Sequence, residues 1–190
     1  MRPLLLLLAL LLAAALRAET VTYVITDDST ISFTGHKDVP VLGKGSKEGE
    51  FLTYEGTLTL TGGDPATLVL KGSVDMASLS TDSDRFTEAL SSDSFFGSNH
   101  HGEATFASTA VKKTPSGLEV TGDLTIKGKA MPITFPAQLE VKGDTVTLQA
   151  SFKINRQNWN IQYKGAFLKD MYILNDADVR WNLVAKKKAG

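Results

Sequence analysis

The stretch GLEVTGDLTIKGKAMPITFPAQLEVKGDTVTLQASFKINR, Gly117 to Arg156, alternates apolar and polar residues almost without a break. Leu118, Val120, Leu124 and Ile126 fall on one face of its first run. Ile133, Phe135, Ala137, Leu139 and Val141 follow in the second, and Val146, Leu148, Ala150, Phe152 and Ile154 in the third. A period of two marks strands buried on one side only, the signature of antiparallel sheet. Between the last two runs stands Lys-Gly-Asp-Thr, with Gly143-Asp144 as a two-residue hairpin loop. Such a loop places Lys142 opposite Thr145 and fixes the register of both strands.

The same alternation recurs along the chain. It aligns Ile31 and Phe33, then Leu58 and Leu60, then Leu68, Leu70, Val74 and Met76. The final run aligns Met171, Ile173, Ala177, Val179, Trp181 and Leu183. Turn residues separate the runs, as in TGGDPA at 61–66 and TPSGL at 114–118. One segment departs from the pattern. Phe86, Ala89 and Leu90 have helical spacing, with Thr81 or Ser83 as cap and Asp82 and Asp84 at the positive end, which predicts a short helix at about 82–91. A second helical turn is expected at Asn158 to Ile161. About eight strands joined mostly by hairpins, with one helical insertion, predict an all-β closed barrel, because closure removes the exposed edges. An eight-stranded barrel is either filled by its side chains or holds one ligand, and periodicity does not choose between the two. No internal repeat, low-complexity segment or domain linker interrupts the pattern.

The start of the chain reads differently. MRPLLLLLALLLAAALRA has Arg2, then an apolar run from Leu4 to Leu16, then small residues. That is the layout of a secretory signal peptide, with cleavage expected after Ala18. The run is about 13 residues, too short to cross a ~30 Å bilayer as a helix. Residues 1–18 are therefore expected to be removed, leaving 19–190 as one domain in a periplasmic or secreted location. Cysteine is absent, so the fold has no disulfide framework and must rest on its core. Of 20 Lys and Arg residues, Arg2 and Arg17 lie in the leader, leaving 18 against 21 acidic residues, a net charge of −3. No basic stripe is present, which argues against nucleic acid as a partner. Lys186–Lys188 read as a solvated basic tail.

Signatures of catalysis are missing. No G-x-S-x-G surrounds a serine, and VLGKGSK at 41–47 lacks the spacing of a phosphate loop. The segment Val41–Gly49 reads instead as a mobile glycine-rich loop. His100 and His101, flanked by Asp93 and Glu103, supply metal-ligating atoms, with His36 as a distant third. Adjacent residues on a strand point to opposite faces, so the pair converges only in a turn. Asp27-Asp28 and Asp82/Asp84 sit where short acidic side chains bond the backbone of turns and caps.

Taken in order, YVITDDSTISFTGHK, GEFLTYEGTLTL, DSFFGSNHHGEATFAST, GDLTIKGKAMPITFPAQLEV and FKINRQNWNIQY resemble the YceI-like family of bacterial secreted lipid- and polyisoprenoid-binding proteins, from about Tyr23 to Val184. Phe95-Phe96 match the family's paired Phe after the helix, and Ala104, Thr105 and Phe106 its following strand. Leu124, Thr125, Ile126 and Gly128 match the LTIxG strand and turn, and Ile154 and Arg156 the IxR pair. Trp159 stands where an aromatic precedes a Gly, here Asn160. The loop Gly97–Gly102 departs from the family's pattern. The resemblance implies a lipocalin-like antiparallel β-barrel that is a binder and not an enzyme. It implies an isoprenoid or quinone-like lipid as the bound molecule, no other cofactor and no metal, transient membrane contact, and a homodimer as an allowed assembly. On that basis Phe33, Leu58, Leu70, Phe106, Leu124, Ile126, Phe135, Phe152 and Ile173 are the expected lining, with Phe86, Leu90, Phe95 and Phe96 as a lid. Arg156 is the candidate for a polar head group, with an ion pair at the barrel end as the other reading. The rival function is a structural or stress-response domain with a filled barrel that acts through a protein partner.

Overall fold

The computed structural model describes residues 18–93, 95–163 and 170–189. The expected leader thus lies outside the described residues except for Ala18. Among the described residues eleven strands form one antiparallel sheet: β1 (Thr20–Ile25), β2 (Thr30–Val39), β3 (Gly43–Phe51), β4 (Tyr54–Thr61), β5 (Asp64–Asp75), β6 (Leu79–Thr81), β7 (Glu103–Thr114), β8 (Gly117–Ile126), β9 (Lys129–Lys142), β10 (Thr145–Asn155) and β11 (Asp176–Lys187). The helix α1 spans Asp84–Ser91, and short 3-10 turns occupy Met76–Ser78, Arg156–Trp159 and Asp170–Tyr172.

Eight of these strands close on themselves in the order β1-β4-β5-β7-β8-β9-β10-β11, and β11 returns to β1. Thr145 does stand opposite Lys142. A register shift between Ser108 and Ala110 bends β7 against β8, the usual way to turn a sheet through a barrel corner. The remaining strands form a leaf. β2 takes over from β1 along β11, pairing Thr30–Thr34 with Asn182–Asp178, and carries β3 and β6 beyond it. At the handover β11 would be left with unpaired backbone groups. The buried Ser29 hydroxyl accepts from Val184 N–H (2.8 Å) and donates to its carbonyl (3.2 Å), filling the gap.

The glycine-rich segment is not a loop. Residues 43–51 pair with β2 from Val39↔Gly43 to Ile31↔Phe51. Its glycines have a steric reason: a Cβ on Gly49 would sit 2.7 Å from the Phe33 ring, and one on Gly45 would sit 2.9 Å from the Lys37 side chain. Lys186 and Lys187 are likewise no tail, since they pair with Val24 and Tyr23 as the end of β11. The helix begins at Asp84, two residues later than its acidic residues suggest. Ser83 occupies the cap position without a side-chain bond, while the Thr81 hydroxyl accepts from Ser83 N–H and organises the approach. The second turn forms at Arg156–Trp159 and closes on Asn160, whose φ of 56° is a conformation asparagine tolerates.

β9 and β10 stay paired only from Lys142↔Thr145 to Ala137↔Ala150. Beyond that point β9 carries Pro136 and Pro132, and proline lacks the N–H that a second neighbour would need. The two strands fork there. Trp159 packs beside the fork, almost fully buried, and donates its indole N–H to the Leu124 carbonyl at 3.0 Å.

Candidate functional site

The interior divides across the barrel axis. At the end of the hairpins 61–64, 114–117 and 142–145, the lumen is solid. Leu58, Leu148, Val120, Val146 and Ala185 have no exposed surface, and Leu60 is 1% exposed. Side chains from several strands meet here in one buried cluster.

A layer of four rings ends this filled half. Phe135 stacks on Phe152 with centroids 4.4 Å apart and planes 15° from parallel. Trp181 meets Phe106, Phe135 and Phe152 edge-on at 5.1–5.2 Å, and Phe106 lies 5.6 Å from Phe135. Four strands supply one ring each. Gly122 makes room for this layer, because a Cβ there would run into the Phe106 ring and the Ala107 carbonyl.

Above the rings the barrel is hollow. The chamber has a cavity volume of about 160 Å³. Its walls are almost wholly apolar. Phe33, Leu70, Phe95, Phe96, Phe106, Leu124, Ile126 and Ile173 border it, joined by Ile25, Ile31, Phe51, Val74, Met76, Ile154, Ile161, Ala177, Val179 and Trp181. It meets the surface beside Leu174, which is 45% exposed, and beside the exposed Glu55.

The other expected lining residues lie elsewhere. Leu58 belongs to the filled half, and Phe135 and Phe152 to the ring layer. Phe86 and Leu90 pack α1 onto the core without bordering the chamber. The Phe pair sits where the helix returns to the barrel: Phe96 N–H bonds the Leu90 carbonyl at 3.0 Å, and Phe95 N–H bonds the Ser92 carbonyl at 2.9 Å. Lys127 Nζ ties the Phe95 carbonyl to the β8–β9 turn at 2.7 Å. Phe95, Phe96, Phe33 and Phe51 then form a chain of rings 5.0–5.9 Å apart along the leaf side of the chamber.

Arg156 borders the chamber but turns its charge away from it. All five guanidinium N–H groups have protein acceptors: Asp170 Oδ1 (2.8 Å) and the carbonyls of Leu174, Ile161, Asp170 and Ile173. Burial alone would raise the Asp170 pKa. Hydrogen bonds from Arg156, Tyr163 N–H and Gln157, with the charge of Arg156, outweigh it and hold the carboxyl below its usual range. This is the ion pair that the sequence admitted at the barrel end, and it stitches Ile161 and the segment 170–174 to the end of β10.

The histidines do not converge. His100 Nε2 lies 3.4 Å from Asp93 Oδ2 with both groups about 70% exposed. His36 bonds Asp178 at 2.7 Å on the leaf; that bond, with one from Lys153, lowers the Asp178 pKa despite some desolvation. Among the described residues no three His, Asp or Glu side chains gather as metal ligands. Nor is any described helix long and apolar enough to cross a membrane.

Comparison with known proteins places this geometry. Residues 23–185 match the model of a family described as YceI-like domain. The chain is 29% identical to Protein YceI of Shigella flexneri over 160 residues, 81% of this chain and 83% of that one. It is 31% identical to the UPF0312 protein plu2095 of Photorhabdus laumondii over 160 residues, 81% and 82% of the two chains. Among solved structures, BcnA of Burkholderia cenocepacia superposes with a TM-score of 0.73 at 24% identity, over 84% of this chain and 97% of that one. A polyisoprenoid binding domain from Saccharophagus degradans superposes with a TM-score of 0.64 at 13% identity, over 90% and 100%. These superpositions share the barrel.

Proposed function

The chain belongs to the YceI-like family, and we propose that it is an exported carrier or store for a polyisoprenoid or similarly apolar lipid, held in the chamber above the ring layer. The observation that carries this reading is the chamber itself, walled by apolar side chains and ending on four mutually packed rings. Burial of apolar surface yields about 25 cal/mol per Å², so a hydrocarbon chain binds there without a hydrogen bond. That a polyisoprenoid-binding domain has the same barrel supports the lipid class. Nothing in the reading requires catalysis.

The geometry also limits how much lipid is enclosed. Along β11 the wall runs seven residues from Leu183 to Asp176, about 23 Å at ~3.3 Å per residue. With strands tilted by ~40° that is about 18 Å along the axis. A long chain would therefore leave its distal part outside the mouth. In this proposal Arg156 shapes the wall and does not meet the head group, because its donors are already occupied. Export by residues 1–18, cleavage after Ala18 and a periplasmic location belong to the same proposal.

The test is native mass spectrometry of protein recovered from a periplasmic fraction, followed by organic extraction of the bound material. A mass beginning at Glu19 with an added isoprenoid-type lipid is expected. An apo mass, with no uptake from a panel of polyprenols, would refute the carrier reading.

A further inference from the structure

The β2–β3 hairpin ends in Val39-Pro40-Val41-Leu42, and the Leu42 N–H closes the turn on the Val39 carbonyl at 3.1 Å. Proline at the second position and positive φ at the third define a type II turn, where glycine or asparagine is the expected third residue. Here the third residue is Val41, with φ of 70°. A β-branched side chain in that region is strained. Val41 gains nothing from packing in return, since it is 105% exposed, and Leu42 beside it is 83% exposed. The turn thus holds two apolar side chains in water at the cost of its own backbone.

The surroundings say what covers them. Lys37 bridges to Ile173, and Leu174 N–H bonds the His36 carbonyl at 2.8 Å, so the segment 170–174 lies along the arm that carries the turn. Met171 on that segment is 76% exposed, and Ile173 and Leu174 border the chamber where it meets the surface. Lys37 and Lys44 flank the turn and make no ion pair among the described residues, with Asp38 between them opposite Lys44. Apolar side chains at a protruding tip, basic groups one step behind and the exposed apolar Met171 and Leu174 beside them match the layering of a membrane: hydrocarbon, then phosphate.

We infer that the β2–β3 turn is a membrane-docking wedge, which inserts Val41 and Leu42 into the outer layer of an anionic phospholipid bilayer and sets Lys37 and Lys44 against its phosphates. The chamber mouth beside Leu174 then faces the bilayer from which an apolar lipid would be taken. The purpose assigned to docking rests on the carrier reading; the docking itself does not.

The test is flotation with vesicles of phosphatidylethanolamine and phosphatidylglycerol, comparing protein recovered from the periplasm with its V41G/L42S variant. Glycine relieves the turn, so the variant is expected to fold with equal or higher thermal stability. Its vesicle partition coefficient is expected to fall by about tenfold or more, as the lost apolar contact dictates. Uptake of a short, detergent-dispersed prenol should be the same in both proteins. Equal flotation of the two, or no flotation of the unmodified protein, overturns the wedge, and so does capture by a protein partner through Val41 and Leu42 without vesicle binding. Failure of prenol uptake in both proteins sinks the carrier reading alone, because flotation is read separately.

Discussion

A pair of alanine substitutions tests the division of the barrel into filled and hollow halves. Leu148 has no exposed surface and lies between Leu139 and Leu183 on the neighbouring strands. Its truncation leaves a void at a site with no exposed surface, and such changes cost about 3–5 kcal/mol, the transfer energy of the lost carbons plus the cavity they leave. Ile126 is 8% exposed but borders the chamber. One side of it already faces empty space, so it makes fewer contacts and its loss opens no new enclosed void. Only part of the transfer energy applies, about 1–2 kcal/mol. With a urea m-value of ~2 kcal/mol/M, L148A should lower the unfolding midpoint by about 2 M and I126A by less than about 1 M. The fluorescence of Trp159 and Trp181 supplies the readout. Chamber-bound lipid at a hundred times its Kd should add about 2.7 kcal/mol to the unmodified protein and to L148A, and distinctly less to I126A. Equal midpoint shifts for the two variants, or a larger one for I126A, would refute the partition.

Further outcomes follow from single contacts. R156M removes donors from four carbonyls and from Asp170, and should destabilise by about 3–5 kcal/mol in denaturant titration; R156K should recover little, because an ammonium cannot reproduce the guanidinium fork. Asp170 has a depressed folded-state pKa, so its contribution is present above the unfolded carboxyl value of ~3.9 and is lost as pH falls through the folded value. Urea midpoints measured between neutral and strongly acid pH should show that loss in the unmodified protein and a shallower one in D170N. G122A forces a Cβ into the Phe106 ring and the Ala107 carbonyl, and should cost about 1–3 kcal/mol as an overpacked site does; a thermal melt unchanged from the unmodified protein would show that the ring layer is loose.

The strands of the barrel wall were legible because they obey two local rules at once. In β8, β9 and β10 the apolar residues alternate, and Gly143-Asp144 closes the hairpin in a single register. β3 defeats the same rule. Gly45 and Gly49 stand where side chains would otherwise alternate, leaving space for Lys37 and Phe33 of β2, and no local pattern records a side chain arriving from another strand. Period two also gives the face of a residue but not its height in the barrel. Leu124 and Phe135 read alike from sequence, as inward apolar positions on neighbouring strands. Yet Phe135 closes the ring layer, whereas Leu124, paired with Met131, borders the hollow. Arg156 shows a related limit. Four of its acceptors are carbonyl groups of Ile161, Asp170, Ile173 and Leu174, and a carbonyl has no letter in the sequence.

The ring layer separates two kinds of evolutionary constraint. Residues beneath it hold the barrel closed whatever lies above, so that end can persist while the other is rewritten. Substitutions along the chamber wall then reshape the hollow at a smaller cost to the fold, and relatives whose hollows differ would be expected to agree in the floor and diverge in the ceiling. A barrel solid throughout has no such freedom, because each new side chain must be matched by its neighbours.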